Sequence, residues 1–357
     1  GLEIVGYGKT EASKVQYETG KGYNNNAGVD GGVDINYNLT PGLKASITIN
    51  TDFAETEVDD RQINLTRFPI RFPEKRDFFL EGANIYQFAP RSGVYPYFSR
   101  KIGLQSGNPV PILFGGRIIG KVGKIEVAAQ QVKTRETTSL NSEDFSVIRL
   151  KQNFWKESSV GVLYTRRHTS KGNEINPSLP DRNTLGVDLT LNTSTFLKNQ
   201  NLQFQAFAIF HNPNTLNEIN NSIWNRSARG IRINFPNDPW SGSLSYREFG
   251  NWYDPAVGFS RRNSFRRVEP RIRFSPLIEK SSVIRELQWE ISFENLMSLN
   301  WKRLTQNIRL TPLSIRFESG DEISYQIIKN FESLENDFNI LGDNSIIIPT
   351  GDYSNWK

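Results

Sequence analysis

A group of acidic residues near position 55 has the residue types that bind hard cations. Ca²⁺ takes about six to eight oxygen ligands, many of them from carboxylates. The spacing here matches no EF-hand loop, and a solvated start of a loop, or pairing with Arg67, Arg71 and Arg76, is the favoured interpretation. We therefore predict no metal or cofactor. The weak calcium candidates are Asp52, Glu55, Glu57 and Asp59.

A run in which charges alternate with aromatic rings follows this acidic group. Its charges could bind a ligand carboxylate, while its rings could stack on the faces of a sugar. The alternative, which we favour, is a plug whose charges pair inside a larger structure and whose rings pack against a wall. The candidates for plug or ligand contact are Arg67, Phe68, Phe72, Glu74, Lys75, Arg76, Phe78, Phe79 and Glu81.

Several classes of chemistry are excluded or disfavoured by composition. The chain has no cysteine, and two histidines, His168 and His211, are a poor basis for a zinc centre. Its 43 basic and 38 acidic residues are dispersed, so we expect no nucleic-acid partner. Any chain with so many carboxylates offers pairs at glycosidase-like spacing, so we name no catalytic residue and predict that the chain is not an enzyme.

The elements that must position these residues are strands. In residues 29–39, 43–49, 185–192, 202–208 and 287–293, apolar and polar side chains alternate with period two. We count about fifteen such segments, and many are near ten residues long, as tilted membrane strands are. No window approaches the roughly 18 consecutive apolar residues of a membrane-spanning helix. In the segment 185–192 we expect Leu189 to face lipid and Asp188 the interior, so that Asp188→Arg is cheap.

Short and long connections take turns along the chain. Short turns are predicted near Pro41, Gly123, 155–158, 198–199, 236–239, 276–279 and 320–321. Longer polar stretches lie between them, near 135–144, 168–183, 212–223, 252–263 and 333–348. The alternation fails once, near 295–300, and the period slips at Pro312-Leu313, where we predict a bulge.

Outer-membrane barrels show this asymmetry of loops. We therefore predict an all-β fold, a transmembrane antiparallel up-and-down β-barrel over residues 1–357, with about 15 or more strands. If the short turns are periplasmic, the N-terminus is periplasmic too. The chain ends without a strand that closes on an aromatic residue, so we expect a barrel that is incomplete at its C-terminus.

A long insertion at about 54–111 interrupts the strands, and connections of this length are functional or folded. We expect it to form a plug inside the barrel or an external lid. As a plug it buries Phe72, Phe78 and Phe79, while its charges find partners among charges of the strands. The strand charges expected to face the lumen are Arg232, Arg247, Arg271, Arg273, Glu290 and Arg316. They either set solute preference or pair internally.

The insertion also carries a specific motif. The run DFAETEVDDRQINLTRFPIRFPEKRDFFLEGANIYQF, with YFSRKIG near Tyr97 and DPAVGFSRR from Asp254, resembles a family of Gram-negative outer-membrane proteins of unknown function. Members typically place a carbohydrate-binding family 9-like domain before a C-terminal barrel. Asp77 stands where that family more often has proline. The resemblance implies a cell-surface barrel, and any glycosidase activity would belong to the upstream domain, which this chain lacks.

Three functions remain open. The leading expectation is a channel or scaffold in the outer membrane of a Gram-negative bacterium, linked to the handling of extracellular glycans or other nutrients. The second is an extracellular or periplasmic all-β protein that binds or cleaves sugars. The third is a non-conducting subunit of a larger outer-membrane complex. The expected partners are outer-membrane lipid, oligosaccharide, and other outer-membrane or periplasmic proteins.

Overall fold

The computed structural model describes residues 1–16, 23–50, 64, 66–105, 108–136, 141–170, 180–340 and 346–357. Strands dominate these ranges. In chain order they are β1 Leu2–Gln16, β2 Tyr23–Thr40, β3 Leu43–Ile49, β4 Leu104–Gln105, β5 Asn108–Pro109, β6 Ile112–Val122, β7 Ile125–Thr134, β8 Glu143–Phe154, β9 Ser158–Thr169, β10 Arg182–Phe196, β11 Gln200–His211, β12 Ser227–Pro236, β13 Trp240–Phe249, β14 Phe265–Phe274, β15 Ile284–Ser298, β16 Arg303–Phe317, β17 Glu322–Leu334, β18 Phe338–Asn339, β19 Ile347–Ile348 and β20 Gly351–Trp356.

Helices are few and short. The two α-helices are α1 Asp77–Leu80 and α2 Leu216–Asn220, and two 3₁₀ turns occupy Ser99–Lys101 and Ile223–Arg226. Among the described residues, no helix has the length and apolar character needed to cross a membrane.

Sixteen of the strands form one antiparallel sheet in chain order, from β1 through β3, then β6 to β17, and finally β20. The pairs β4–β5 and β18–β19 are small separate sheets in two connections. Each strand of the main sheet therefore pairs with its neighbours in sequence, which confirms the predicted all-β, up-and-down antiparallel fold. β1 and β20 form the two ends of this order, and the sheet is not closed in the described part of the chain. β20 ends at Trp356, so the expectation that no terminal strand ends on an aromatic residue is wrong.

The two faces of the sheet have opposite chemistry. The face that carries Arg117, Arg149 and Asp188 is buried, with these residues only 4%, 1% and 6% exposed. Their neighbours in sequence point the other way, and Ile118, Ile148 and Val187 are 40%, 43% and 45% exposed. Side chains alternate along each strand, and the pairing register aligns the buried positions of neighbouring strands. The same side of every one of these strands is therefore buried. We call the two sides the inner face and the outer face.

The connections follow the predicted order. Tight turns at 41–42, 123–124, 155–157 and 197–199 lie at one edge of the sheet, and the long connections lie at the other. The strands β15 and β16 are joined at the long-loop edge by only residues 299–302, where the alternation of loop lengths was expected to fail. The register of β16 against β17 shifts between Leu310 and Leu313, which confirms the predicted bulge at Pro312.

The hydrophobic core lies on the inner face. It joins strand residues such as Val132, Phe145 and Leu163 to Phe79 and Phe88 of the insertion, all of them buried. The described part of that insertion, residues 66–105 and 108–111, is called the inner segment below. The core thus lies between the inner face of the sheet and the insertion. In the described residues, no comparable layer covers the outer face.

Candidate functional site

The inner segment contacts strands that are far apart in the sheet. Arg67 pairs with Glu332 on β17, and the Tyr97 hydroxyl donates a hydrogen bond to the Gln130 side chain on β7 at 3.3 Å. Glu81 pairs with Lys44 on β3 at 2.6 Å. The segment therefore crosses the inner face from its early strands to its late ones. Whether it closes a conducting lumen stays a prediction.

Helix α1 is clamped to β6 by one arginine. Arg117 pairs with the Glu81 carboxylate and donates to the carbonyl oxygens of Phe78 and Glu81, the latter at 3.0 Å. Its guanidinium also lies 4.9 Å from the centre of the Phe78 ring. Gly82 follows with a φ of +69°, and a Cβ there would lie 2.6 Å from the Ile119 side chain. A glycine at this position lets the segment approach the wall closely.

The positively charged neighbours of Glu81 change the pKa of its carboxyl group. Burial by itself would raise the pKa of Glu81, but hydrogen bonding to Lys44 and the charges of Arg117 and Lys44 lower it below its ordinary value. The carboxylate form therefore strengthens the contact between α1 and the strands.

Glu74 and Arg76 pair with each other inside the segment. Arg76 Nε and Nη2 donate to the two Glu74 carboxylate oxygens at 2.8 and 2.7 Å, and the Ser99 hydroxyl adds a third bond at 2.5 Å. Arg76 also donates to the Ile102 carbonyl at 2.6 Å. Burial opposes ionisation of Glu74, but Arg76 and Ser99 lower its pKa below the ordinary value. Glu74 and Arg76 were expected to find partners among the strand charges, and the structure shows them paired with each other.

The remaining candidates of the charged run are placed as follows. Phe79 is buried and meets Phe78 edge to face at 5.1 Å. Phe72 is half-buried with the Arg100 guanidinium 5.9 Å from its ring centre. Lys75 is half-buried, and its backbone N–H donates to Glu74 at 3.0 Å. The rings thus pack as expected for a plug. Of the charges, Arg67 and Glu81 pair with strand residues, whereas Glu74 and Arg76 pair with each other.

A buried ion pair holds the middle of the segment. Arg149 on β8 pairs with Asp188 on β10, with N–O distances of 2.5 and 3.0 Å. Asp188 also accepts a hydrogen bond from the backbone N–H of Ala89 at 3.2 Å. The Phe88 ring packs over Gly186, where a Cβ would lie 2.8 Å from it. Asp188 faces the interior as predicted, but it is a buried structural group, so the expectation that Asp188→Arg is cheap is wrong.

The two smaller motifs of the sequence pair with each other. The Phe98 N–H donates to the Val257 carbonyl and the Phe259 N–H to the Tyr95 carbonyl, both at 2.8 Å. The loop 250–264 between β13 and β14 therefore folds over the inner face and joins the inner segment. Val257 in this loop is fully buried.

A cavity of about 600 Å³ lies between the inner segment, this loop and β13 to β17, at the long-loop edge. Five arginines and two glutamates line it together with several aromatic rings. Arg267 pairs with Glu269 and Glu294 at 2.6 and 2.8 Å, and Arg247 pairs with Glu269 and donates to the Ser92 carbonyl. These two arginines build the wall of the cavity.

The other three arginines of the cavity lie on aromatic rings. The Arg71 guanidinium is 4.3 Å from the centre of the Tyr95 ring, and those of Arg261 and Arg262 are each 5.5 Å from the Phe68 ring. Within the described residues, none of the three forms an ion pair with a carboxylate. Burial, and then the charge of Arg67, lower the pKa of Arg262, although the carboxylates of Glu332 and Glu335 oppose this shift. The cavity is therefore rich in positive charge.

All six predicted lumen charges lie on the inner face of their strands. Four of them form ion pairs: Arg247 as above, Arg271 with Glu290 at 2.7 Å, and Arg316 with Glu286 at 3.1 Å. Arg232 is half-buried beside a second cavity of about 230 Å³, which Arg91 also lines. Arg273 is half-buried as well. Their effect on solutes stays a prediction.

The calcium candidates Asp52, Glu55, Glu57 and Asp59 lie outside the described residues. Elsewhere, in the part of the chain that the structure describes, no group of three or more His, Asp or Glu side chains is arranged to hold a metal ion.

Sequence reasoning missed the arginines that matter most to this geometry. Arg117 and Arg149 carried a signal, because each interrupts an apolar strand at a position that alternation assigns to the inner face. Arg71 and the pair Arg261-Arg262 lie in or beside the motifs quoted above, but no sequence spacing brings them together. Their proximity depends on the folding of the loop 250–264 onto the inner segment.

A family model matches the first part of the chain. Residues 2–111, which include β1 to β5 and the inner segment, match the family described as a domain of unknown function (DUF5916). No curated protein matches the chain.

Proposed function

With residues 2–111 assigned to that domain of unknown function, we propose that this protein is an outer-membrane β-barrel of a Gram-negative bacterium whose inner segment is a plug. It acts as a closed or gated channel for nutrients or other small solutes. The long-loop edge faces the outside of the cell and the short turns face the periplasm.

The observation that carries this proposal is that the exposed face of the sheet is apolar, whereas its charged residues lie on the buried face. A water-soluble protein rarely exposes contiguous apolar patches larger than a few hundred Å². Here the outer face presents large apolar side chains on strand after strand, while the charged pairs are kept inside. This is the arrangement of a barrel that faces lipid. The exposed apolar residues include Ile47, Ile118, Ile148, Leu150, Val162, Leu185, Val187, Ile231, Leu244 and Ile272.

Exposed tryptophans at both edges of the sheet support the same proposal. Trp155 and Trp240 lie at the short-turn edge, and Trp224 and Trp301 lie at the long-loop edge. Outer-membrane barrels carry girdles of aromatic residues at the two membrane interfaces, because these rings combine an apolar body with a polar N–H.

Conductance tests the plug. Deletion of residues 68–90 should raise single-channel conductance in planar bilayers, because it removes the rings and charges that fill the inner face. The matched control is deletion of 338–348, the stretch at the same edge that contains the paired strands β18 and β19, which should leave conductance near that of the intact chain. Conductance that is unchanged by deletion of 68–90 would refute the plug, and no conductance from the intact chain or from either variant would make the protein a non-conducting subunit.

Labelling of single cysteines tests the membrane and the orientation. The chain has no cysteine, so each introduced thiol is the only one. On intact cells that export the protein, a membrane-impermeant maleimide should label Arg261→Cys and should spare Trp155→Cys until the outer membrane is permeabilised. Protease added outside should leave residues 72–82 uncut. Equal labelling of both cysteines, or a protein that stays monodisperse without detergent, would overturn the proposal.

A further inference from the structure

The arginine-lined cavity at the long-loop edge has an excess of hydrogen-bond donors that carboxylates of the described residues do not pair with. Arg247 and Arg267 have carboxylate partners, but Arg71, Arg261 and Arg262 have only ring contacts among the described residues. Holding several like charges together around one space is unfavourable unless a counter-charge fills it.

The ring contacts orient these arginines without consuming their donors. A guanidinium that stacks on an aromatic ring within about 6 Å uses its flat face for the contact. Its N–H groups lie at its edges, in the plane of the fork, and this fork matches the two oxygens of a carboxylate or phosphate. Phe68 gathers three guanidiniums around its ring, since those of Arg67, Arg261 and Arg262 lie 5.1, 5.5 and 5.5 Å from the ring centre; Arg67 pairs with Glu332, so the forks of Arg261 and Arg262 are the ones left for a ligand.

The same contacts leave little room for a neutral sugar to stack. Phe68 is already covered by guanidiniums, and Tyr95 carries Arg71 at 4.3 Å. Phe249 and Phe265 stack on each other with ring centres 4.7 Å apart. The recognition chemistry of the cavity is therefore charge and bidentate hydrogen bonding, more than ring stacking.

From this geometry we infer that the cavity binds a small oxyanion that carries two or more carboxylate, phosphate or sulfate groups. Its volume of about 600 Å³ lies within the range of about 300–1,000 Å³ of small-molecule sites. The inference deepens the proposed function, because it names the class of solute recognised at the outer mouth of the barrel. Arg71 and Arg261, both exposed, meet the anion first, and Arg262 holds it more deeply.

Calorimetry on the full chain in detergent tests this inference with defined probes. Citrate supplies carboxylates, pyrophosphate supplies phosphates, and maltotriose is a neutral sugar of similar size. We expect at least one of the two anions to bind with an affinity that falls as salt is added, and maltotriose not to bind. The order of citrate and pyrophosphate then tells carboxylate from phosphate ligands. Binding of maltotriose alone, or of none of the three, would overturn the inference.

Arginine variants locate the site. Arg71→Ala, Arg261→Ala and Arg262→Ala should each weaken binding of the better anion by about tenfold, which corresponds to about 1.4 kcal/mol. Arg→Lys at the same positions should recover only part of the loss, because lysine lacks the planar fork. Arg285→Ala, which removes an exposed arginine at the start of β15, is the matched control and should bind like the unaltered chain.

A folding assay separates a misfolded variant from a variant that has lost only the binding site. A folded barrel migrates differently in a gel before and after heating, so heat-modifiable migration reports whether each variant is folded. Loss of binding in a folded variant then shows that the site itself is altered. Equal affinity of the folded arginine variants and the control would place the anion elsewhere and refute the inference. Binding in detergent needs no open pore, so a failed conductance test refutes the proposed function without deciding this one.

Discussion

The two parts of the inner segment use arginine in opposite ways. Around residues 74–102, called here the anchored part, Arg76, Arg117 and Arg149 each have a carboxylate partner and are almost fully buried. Around residues 66–71, the open part, Arg67 pairs with Glu332, but Arg71 and the neighbouring Arg261 contact aromatic rings, have no carboxylate partner among the described residues and are exposed.

This difference in arginine partners assigns a structural role to the anchored part and a ligand-binding role to the open part. A buried guanidinium without a partner is costly, so the three buried arginines of the anchored part, Arg76, Arg117 and Arg149, are matched with acids and hold the segment. In the open part, water solvates the unmatched forks until a ligand replaces it. The same residue types, arginine and phenylalanine, therefore do different work according to whether a carboxylate is within reach.

The largest expected effect is in the anchored part. Asp188→Ala leaves Arg149 buried without its partner, and breaking such a pair costs about 3–5 kcal/mol. Urea titrations of refolding into lipid vesicles measure this loss. Glu126→Ala breaks a pair with Lys151 that is partly exposed, at 3.2 Å, and should cost less than about 1 kcal/mol. Equal losses would mean that Asp188 and Arg149 are not buried together.

Replacement of both partners sharpens this test. Arg149→Met combined with Asp188→Leu removes both buried charges at once, and it should recover much of the stability that Asp188→Ala loses. If the double variant is as unstable as the single one, the cost comes from lost packing around Phe88 and Ala89 and not from an unpaired charge.

The next effect concerns the outer face. Leu189 lies opposite Asp188 in the alternation of β10, and Leu189→Arg should cost about 2–4 kcal/mol if it lies near the bilayer midplane. Thr193→Arg, on the same face nearer the short turn, should cost about 0–1 kcal/mol. Both are measured by refolding into lipid. A flat profile with depth would contradict the membrane assignment of this strand.

Much of the sheet could be predicted from the sequence because its causes are local. Period two places Leu189 and Asp188 on opposite faces, and Pro312 marks its bulge because proline cannot donate a ladder hydrogen bond. The short turns follow from the same local pattern.

Long-range pairings could not be predicted in this way. Ala89 reaches Asp188 across almost a hundred residues, and this contact depends on how the sheet curves around its insertion. Arg76 forms its ion pair with Glu74, which lies only two positions away in sequence, although the strand charges were the expected partners. The Arg261-Arg262 pair becomes part of a cavity only because Phe98 and Phe259 join two loops that lie far apart in sequence.

Acidification should loosen the anchored part. Glu74 and Glu81 have lowered pKa values, so their contribution is complete above the unfolded value of 4.5 and is lost as pH falls through the lowered values. We therefore expect conductance to rise in planar bilayers as pH is taken from 7 towards 3. Glu81→Gln should raise conductance already at pH 7 and flatten the profile. Identical profiles for both proteins would exclude Glu81 as an anchor.

The smallest effect is expected in the open part, from the ring that orients two guanidiniums. Phe68→Leu keeps the apolar character of the site but removes the cation–π contacts to Arg261 and Arg262, and also that to Arg67, each worth about 0.5–1 kcal/mol at an exposed site. Anion affinity should therefore fall by only a few-fold, with the charge of the cavity unchanged. Phe72→Leu is the matched control, because Phe72 belongs to the same segment but does not line this cavity. Calorimetry with the better-binding anion compares the two variants. If Phe68→Leu binds as tightly as Phe72→Leu, the ring does not organise the forks, and the open part recognises its anion by charge alone.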